Sequence, residues 1–184
     1  MQQYVALFRG INVGGSNILP MKELAALLEA QGLQQVVTYI QSGNVVFESE
    51  EADKTRLCVG IRSAVKDRHG FDPFTILLET SELEQAMAAN PFSEAVAAPN
   101  TLHLFFLAAA PMSPNMSALE KLRGENERYA LQGAVFYLHA PDGIGKSKLA
   151  ANSEKLLGVP ATSRNWRTVM KLLELTQRSS KPSR

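Results

Sequence analysis

The sequence predicts an α+β fold of two tandem ferredoxin-like (βαββαβ) halves, each followed by an extra helix. Apolar runs and segments of helical spacing alternate in the order strand, helix, strand, strand, helix, strand. This order occurs twice along the 184 residues, and a proline-containing segment of small residues separates the two occurrences. We therefore expect subdomains at 1–92 and 101–177, a linker at 93–100 and a basic, disordered tail at 178–184.

The first half carries a signal for each of its elements. Tyr4–Phe8 is an apolar run typical of a strand buried on both faces. Pro20 suits the first turn of a helix, and Gly32 suits its end because glycine tolerates positive φ. Ser42-Gly43-Asn44 predicts a hairpin turn between two β-rich runs. We expect the remaining elements as strands at 36–41, 45–47 and 74–78 and helices at 50–70 and 81–89.

The second half repeats this order of elements. Leu102–Leu107 is again an apolar run, and Gln132-Gly133 predicts a second hairpin turn. The last helix has an apolar stripe that begins at Trp166, which we interpret as a core residue rather than a stacking platform for a base. We expect the remaining elements as helices at 116–122, 146–157 and 165–176 and strands at 128–131, 135–138 and 161–163.

Composition places the chain among soluble globular proteins, with 45% hydrophobic and 20% charged residues. There is no run of about 18 apolar residues, so we expect no membrane span. The first residues, MQQYVALFRG, lack the pattern of a secretory signal. The single cysteine, Cys58, excludes an internal disulfide and fits a reducing compartment. We therefore expect a cytoplasmic protein.

Charge is unevenly distributed along the chain. Residues 1–145 hold 10 Lys/Arg against 16 Asp/Glu, whereas residues 146–184 hold 9 against 2. The C-terminal fifth thus carries a net charge of +7, although the whole chain carries only +1. A basic segment of this kind favours anionic ligands, and the alternative is a solvated helix face followed by a charged tail.

The glycine-containing stretch before the helix expected at 146–157 predicts an anion contact. Lys146, Ser147 and Lys148 follow two glycines at the helix start, where free backbone N–H groups attract negative charge. A nucleotide P-loop would require glycine at Ala140, and we find no strand ending in aspartate to hold magnesium. The pattern therefore favours a simple anion contact over nucleotide hydrolysis, with a tight turn and solvated lysines as the alternative.

A second candidate is the loop of residues 9–17, in which Arg9 and Asn12 supply donors between glycines. The alternative is a connection whose glycines only permit positive φ. We predict that the first and third strands of each half are parallel neighbours whose carboxyl ends share an edge. Arg9 and the Gly143 loop would then leave equivalent edges of the two halves, and Ser42-Gly43-Asn44 would be a structural turn at the opposite edge.

A third candidate lies at the start of the last helix. Arg164 and Asn165 precede Trp166, and a bound anion would offset the unfavourable position of an arginine at a helix N-terminus. We predict no metal site and no cofactor, because His69, His103 and His139 lack metal-ligand spacing with one another or with Cys58. His103 and His139 are interpreted as satisfied histidines of buried strands.

Several long motifs resemble one family. They are RGINVGG at 9–15, the Pro20-Met21 helix start, TYIQSGNVVF at 38–47, Asn90-Pro91-Phe92, GKSKL at 145–149 and ATSRNW at 161–166. Together they closely resemble the bacterial domain-of-unknown-function family 1697, over nearly the whole chain. The resemblance implies a duplicated α+β fold and brings no activity, cofactor or catalytic residue with it.

These observations lead to the hypothesis that the protein binds an anionic, phosphate-bearing small molecule. The residues expected to contact it are Lys146, Ser147, Lys148, Arg164 and Asn165, with Arg9 and Asn12 nearby. One alternative is an enzyme acting on a phosphorylated or acyl substrate, in which Lys146 or Ser147 takes part. Others are an interaction module that forms a homodimer through a sheet edge, and nucleic-acid binding by the basic C-terminal segment, which lacks an aromatic-basic sheet motif.

Overall fold

The structure, a computed structural model, describes residues 1–179. The chain forms two compact units. The first comprises residues 1–84 and the C-terminal segment from Lys171, and the second comprises Gln85–Met170. The division falls inside two helices, so it differs from the predicted subdomains at 1–92 and 101–177. Among the described residues, no helix has the length and apolar character needed to cross a membrane.

Unit 1 contains a four-stranded sheet of order β2-β3-β1-β4. Its neighbouring strands are all antiparallel. The elements run β1 Gln2–Phe8, α1 Met21–Ala30, β2 Gln34–Tyr39, β3 Asn44–Ser49, α2 Lys54–His69 and β4 Thr75–Glu79. A further helix, α3 Thr80–Ala88, follows β4 directly.

The core of unit 1 lies between one face of this sheet and helices α1 and α2. Alternate residues of β1 point into it, because successive side chains of a strand face opposite sides. Tyr4, Ala6 and Phe8 pack there against buried residues of both helices. The helix residues are Met21, Leu24, Leu28, Leu57, Ile61 and Val65.

Unit 2 contains a sheet of the corresponding order, β6-β7-β5-β8, again antiparallel throughout. The elements run β5 Leu102–Leu107, α4 Met116–Leu122, β6 Arg128–Gln132, β7 Val135–His139, α5 Lys148–Leu157 and β8 Ala161–Asn165. A last helix, α6 Trp166–Ser179, follows β8. The core beside α4 and α5 contains Phe105, Leu107, Leu119, Phe136, Leu138, Leu149 and Leu157.

The predicted α+β class is confirmed, since residues 1–179 form two four-stranded antiparallel sheets and six helices, consistent with two tandem ferredoxin-like halves. Several bounds differ from the predictions. Helix α5 begins at Lys148 rather than at residue 146, and residues 144–146 form a short 3-10 helix. The predicted linker contains a 3-10 helix at Ser93–Ala97. Helix α6 reaches Ser179, and the rest of the predicted tail lies outside the described residues.

The predicted parallel pairing of the first and third strands is wrong. β1 pairs with β3 antiparallel, and β5 pairs with β7 antiparallel. The crossover helix returns the chain so that the second strand runs parallel to the first. The hairpin then reverses the chain direction, so the third strand is antiparallel to both. Ser42-Gly43-Asn44 therefore lies beside the residues that follow β1, and the Phe8 amide donates to the Gly43 carbonyl at 2.8 Å. The prediction that this turn and Arg9 occupy opposite edges is wrong for the same reason.

Candidate functional site

The start of α5 is the most open helix N-terminus among the predicted binding segments. Ser147 is its N-cap, and the Ser147 Oγ accepts a hydrogen bond from the Ala150 amide at 2.9 Å. Within residues 1–179, the amides of Lys148 and Leu149 donate no hydrogen bond. These two N–H groups remain available to an acceptor outside the helix, as expected in the first turn of any helix.

The loop that precedes α5 adds space and positive charge. We call residues 140–147 the β7–α5 loop. Gly143 has a φ of 96°, and a Cβ built on Gly143 or Gly145 would meet no atom within 4 Å. Lys146 and Lys148 are exposed, and in the described part of the chain neither ammonium group has an ion-pair or hydrogen-bond partner. The Asp142 carboxylate in the same loop accepts from the Asn126 side-chain amide at 3.1 Å.

The equal strand order of the two sheets allows their positions to be compared one by one. In unit 1, Tyr4 pairs with Phe47 on one side and Glu79 on the other. In unit 2, His103 pairs with Leu138 and Asn165 in the same way. Tyr4 therefore corresponds to His103, Phe47 to Leu138 and Glu79 to Asn165.

The same comparison shows that the lysine at the first position of the helix has different neighbours in the two units. Asp53 caps α2, and Lys54 at its first position contacts Glu82 at 2.6 Å. Ser147 caps α5, and Lys148 takes the position of Lys54. The residue that corresponds to Glu82, three positions beyond the paired strand residue, is Thr168. Unit 2 therefore retains the lysine but lacks the carboxylate that neutralises it in unit 1.

The correspondence also places the start of α5 near the end of β8. In unit 1, the Lys54–Glu82 contact joins the start of α2 to the helix after β4. We infer that Lys148 approaches the first turn of α6 in unit 2. Helix α6 follows Asn165 directly, and Leu138, His103 and Asn165 lie side by side in the sheet.

The start of α6 is less open than the start of α5. The Asn165 Oδ1 accepts from the Thr168 amide at 3.0 Å, and the Arg167 amide donates to the Pro99 carbonyl at 3.4 Å. Trp166 is buried, as the core interpretation expects. Since these partners already occupy the first turn, Asn165 acts as a cap, and its predicted contact with a ligand stays a prediction.

Arg164 lies on the other face of the sheet from His103 and Asn165, because strand neighbours alternate. It is 8% exposed and donates to the Thr162 hydroxyl at 2.8 Å and to the Ser163 carbonyl at 2.7 Å. Burial lowers the pKa of its guanidinium to about 10, which still leaves the group charged at neutral pH. The structure therefore does not bring Arg164 to the face that carries the α5 start.

Arg9 and Asn12 belong to unit 1, whereas the other predicted contacts belong to unit 2. The Asn12 side-chain amide donates to the Leu19 and Gln41 carbonyls at 2.8 and 2.9 Å, and its oxygen accepts from the Leu19 amide at 2.7 Å. Asn12 thus fastens its loop to the turn before β3. Arg9 is exposed and lies 4.8 Å above the Phe74 ring. Their roles in ligand binding stay predictions.

The turn before β3 requires glycine at position 43. The φ of Gly43 is 78°, and a Cβ at this position would lie 2.6 Å from the Phe8 Cβ and 2.7 Å from the Ile11 Cδ1. The turn and the loop after β1 are therefore packed against each other. This agrees with a structural role for the turn, although it stands at the edge opposite to the one predicted.

His103 is the residue that sequence reasoning interpreted wrongly. It is buried, with 7% of its surface exposed, but its Nε2 has no hydrogen-bond partner among residues 1–179, so the ring is not fully satisfied. Burial lowers its pKa, and a hydrogen bond with the Asn100 backbone opposes this effect. Only the alternation of side chains in the strand could have indicated that it lies on the face of the sheet that α5 covers.

Other places in the two units are weaker candidates for a functional site. Unit 1 has a cavity of about 530 Å³ between α1 and α2, but its rim carries the acidic Glu23 and Asp67 as well as Arg68. Cys58 is half-buried, and burial raises the pKa of its thiol, which disfavours the reactive thiolate. Within residues 1–179, no three metal-ligating side chains cluster together.

The fold and this site define a class of protein: an α+β chain with two ferredoxin-like sheets and a cationic glycine loop before a helix. A family model described as "Protein of unknown function (DUF1697)" matches residues 1–137. The chain therefore belongs to this family. The matched residues include the motifs at 9–15 and 38–47 but end before the β7–α5 loop.

Comparison with other proteins adds a structural relative. No curated protein matches the chain. The structure of the conserved bacterial protein SP0830 from Streptococcus pneumoniae is similar, with 26% sequence identity and a TM-score of 0.73. The similarity covers 95% of this chain and 98% of that protein's chain. It supports the architecture along almost the whole length of the chain.

Proposed function

We propose that this protein binds a phosphate-bearing small molecule at the β7–α5 loop. The observation that carries the proposal is the pair of exposed ammonium groups of Lys146 and Lys148, which have no partner within residues 1–179 and lie beside two amides that donate no bond there. A helix N-terminus with free N–H groups and nearby lysines is a favourable environment for a phosphate group. Unit 1 differs at this point, because there the Glu82 carboxylate pairs with Lys54, the lysine at the corresponding helix start.

The roles within the site follow from the geometry. The amides of Lys148 and Leu149 would donate to phosphate oxygens, and the two lysine side chains would add charge. Ser147 would hold the helix start in place through its cap, rather than act as a nucleophile, because its Oγ is buried and already engaged. Asn165 would keep α6 in register at the same edge. The predicted contacts of Arg164, which is buried on the other face of the sheet, and of Arg9 and Asn12 in unit 1 stay predictions.

The first test measures thermal stability with and without inorganic phosphate. A ligand present at about ten times its Kd stabilises the folded state by about 1.4 kcal/mol. For a chain of this size, that raises the Tm by about 3 to 6 °C. We expect this rise in the wild type and its loss in the Lys146→Ala, Lys148→Ala double variant.

The matched control is Lys155→Ala. Lys155 is exposed and lies in the last turn of α5, so this change removes a charge from the same helix at its other end. We expect Lys155→Ala to keep the phosphate response. An equal response in all three proteins, or none in the wild type, would contradict the proposal. A response to RNA or DNA that falls steeply with salt would instead support the nucleic-acid alternative.

A further inference from the structure

Arg128 and His139 form a cross-strand pair in the hairpin of β6 and β7. They are opposite each other in the strand register, and the Arg128 Nη2 lies 3.1 Å from the His139 Nδ1. A guanidinium group donates hydrogen bonds and cannot accept them, so the imidazole Nδ1 is the acceptor. The imidazole is therefore neutral in this contact, and its single N–H proton is on Nε2.

Arg128 joins this histidine to the segment between α3 and β5. Its guanidinium forms an ion pair with the Glu94 carboxylate and lies 5.0 Å from the centre of the Phe92 ring. Phe92 is buried, and its ring centre lies 6.5 Å from that of His139. Phe92 is the N-cap of the 3-10 helix at Ser93–Ala97, and Glu94 lies in its first turn. The Arg128 side chain therefore attaches this 3-10 helix to the hairpin.

The same hairpin holds the preceding helix, α3, by a contact that does not titrate. Tyr137 lies two residues before His139, on the same face of β7, and its hydroxyl donates to the Ala86 carbonyl at 2.7 Å. Burial raises the pKa of Tyr137 to about 12, so the hydroxyl keeps its proton at neutral and acidic pH. The segment 86–97 thus has one attachment that is independent of acid and one that depends on a histidine.

We propose that the Arg128–His139 contact is a pH-sensitive switch that releases the 3-10 helix at Ser93–Ala97 when the imidazole is protonated. Because Nε2 already carries a proton, a second proton can bind the ring only at Nδ1. That proton takes the lone pair to which Arg128 donates, and it leaves two positive groups facing each other. The guanidinium then loses its acceptor on the strand and is repelled from its position beside Phe92. This inference goes beyond the proposed function and does not depend on it.

The groups around the His139 ring set the direction of the switch. The strand neighbours are the apolar Leu102 on β5 and Arg128 on β6, and Glu94 is the carboxylate of the attached segment. Asp142 follows in the next loop, where its carboxylate is engaged by a side-chain amide. Burial and the Arg128 charge lower the pKa of His139, and the Glu94 charge opposes them. The attachment is therefore complete above the ordinary histidine pKa of 6.5 and is lost as the pH falls toward the folded value.

Amide hydrogen exchange at about pH 7.5 and about pH 5 tests the switch. The amides of Ala95 and Ala98 each donate at 3.0 Å in the 3-10 helix and at its end, and the Ala89 amide donates at 2.9 Å at the end of α3. We expect the protection factors of Ala95 and Ala98 to fall about tenfold at the lower pH, the effect of losing one hydrogen bond to a charged group. Protection factors already correct for the intrinsic effect of pH on exchange. The protection factor of Ala89 should change less than about twofold, because the Tyr137 contact remains.

His139→Asn is the matched variant, because the asparagine oxygen can accept from Arg128 in place of Nδ1 but binds no proton in this range. We expect this variant to keep the protection of the 3-10 helix nearly equal at both pH values. His103→Phe removes another histidine of the same sheet and should lose protection as the wild type does. Glu94 stays ionised at about pH 5, because a backbone hydrogen bond and Arg128 lower its pKa below the ordinary value of 4.5. Equal losses in His139→Asn and the wild type would overturn the inference.

The ¹⁵N resonances of the imidazole test the first step in the wild type, even if His139→Asn does not fold. At about pH 7.5, the His139 Nδ1 should have the chemical shift of an unprotonated nitrogen and Nε2 that of a protonated one. On acidification, Nδ1 should become protonated over the pH range in which the 3-10 helix loses protection. A protonated Nδ1 at about pH 7.5, or titration of the ring with no loss of protection at Ala95 and Ala98, would refute the switch. None of these measurements involves phosphate, so their failure leaves the proposed function standing.

Discussion

At the level of single residues, hydrogen-bond partners decide which polar side chains can serve a ligand. Asn12 and Asn165 were both predicted as contacts. In the structure both polar atoms of the Asn12 side chain bond to the backbone, and the Asn165 Oδ1 accepts from the Thr168 amide. Lys146 and Lys148 remain without partners in the described part of the chain. Sequence patterns identify the residue type at a helix start, but whether its side chain is already paired depends on the fold.

The lowered pKa of His103 predicts that the free energy of unfolding depends on pH. Its folded pKa lies below the ordinary value of 6.5, so the unfolded chain binds the proton more readily. The stabilisation that comes from this difference in pKa is present above about pH 6.5 and is lost as the pH falls toward the folded pKa. We expect the free energy of unfolding in urea to fall between about pH 7.5 and pH 5.5, and to fall less in His103→Phe.

His139 and the carboxyl groups also affect the pH dependence of the free energy of unfolding. Burial and the Arg128 charge also lower the pKa of His139, so part of the decline should persist in His103→Phe. The carboxyl groups with lowered pKa values, such as Asp72 beside Arg62, start from about 3.8 to 4.5 and titrate below this range. Identical pH dependence in the wild type and the variant would contradict a neutral, buried His103.

At the level of elements, helix ends were predicted better than helix starts. The helices predicted at 50–70 and 146–157 end at Gly70 and Gly158, and both glycines have positive φ as their C-cap positions require. The start of α5 was predicted at residue 146, whereas Ser147 is its N-cap. The relative direction of the strands was predicted wrongly. Strand pairing depends on how a crossover helix returns the chain to the sheet, and no local pattern records it.

The cap of α5 yields a prediction that separates helix stability from anion binding. Ser147→Ala should lower the free energy of unfolding by about 1 kcal/mol, because the Ala150 amide loses its acceptor. Ser147→Asp keeps a capping oxygen and should retain stability, since a negative charge is favourable at a helix N-terminus. The same charge should repel phosphate, so Ser147→Asp should bind it weakly while folding normally.

Urea unfolding and phosphate titration of the two variants provide the measurements. The cap at the corresponding position of α2 is already an aspartate, Asp53, and it accepts from the Thr55 and Arg56 amides. Unit 1 thus shows that an aspartate can cap the corresponding helix, at a position that is exposed whereas Ser147 is buried. Phosphate affinity in Ser147→Asp equal to that of the wild type would place the anion elsewhere.

At the level of the whole molecule, the sequence predicted the α+β class, the two-fold repetition of element order and the membership of the family. The concentration of positive charge after residue 145 was also visible in the sequence. Its meaning depends on the structure, because Arg164 is buried and Arg178 pairs with Glu174, whereas Lys146 and Lys148 stay exposed. The corresponding helix starts of the two units therefore differ in charge although their folds agree.

The most direct test of an anion site at the start of α5 is an amide NMR titration with inorganic phosphate. The account predicts that the largest shifts occur at Gly145, Lys148 and Leu149, whose amides border the open helix start, and that they saturate. The loop after β1 and the start of α6 should shift less. Saturating shifts confined to residues outside 140–149, or no saturating shifts at all, would contradict the account.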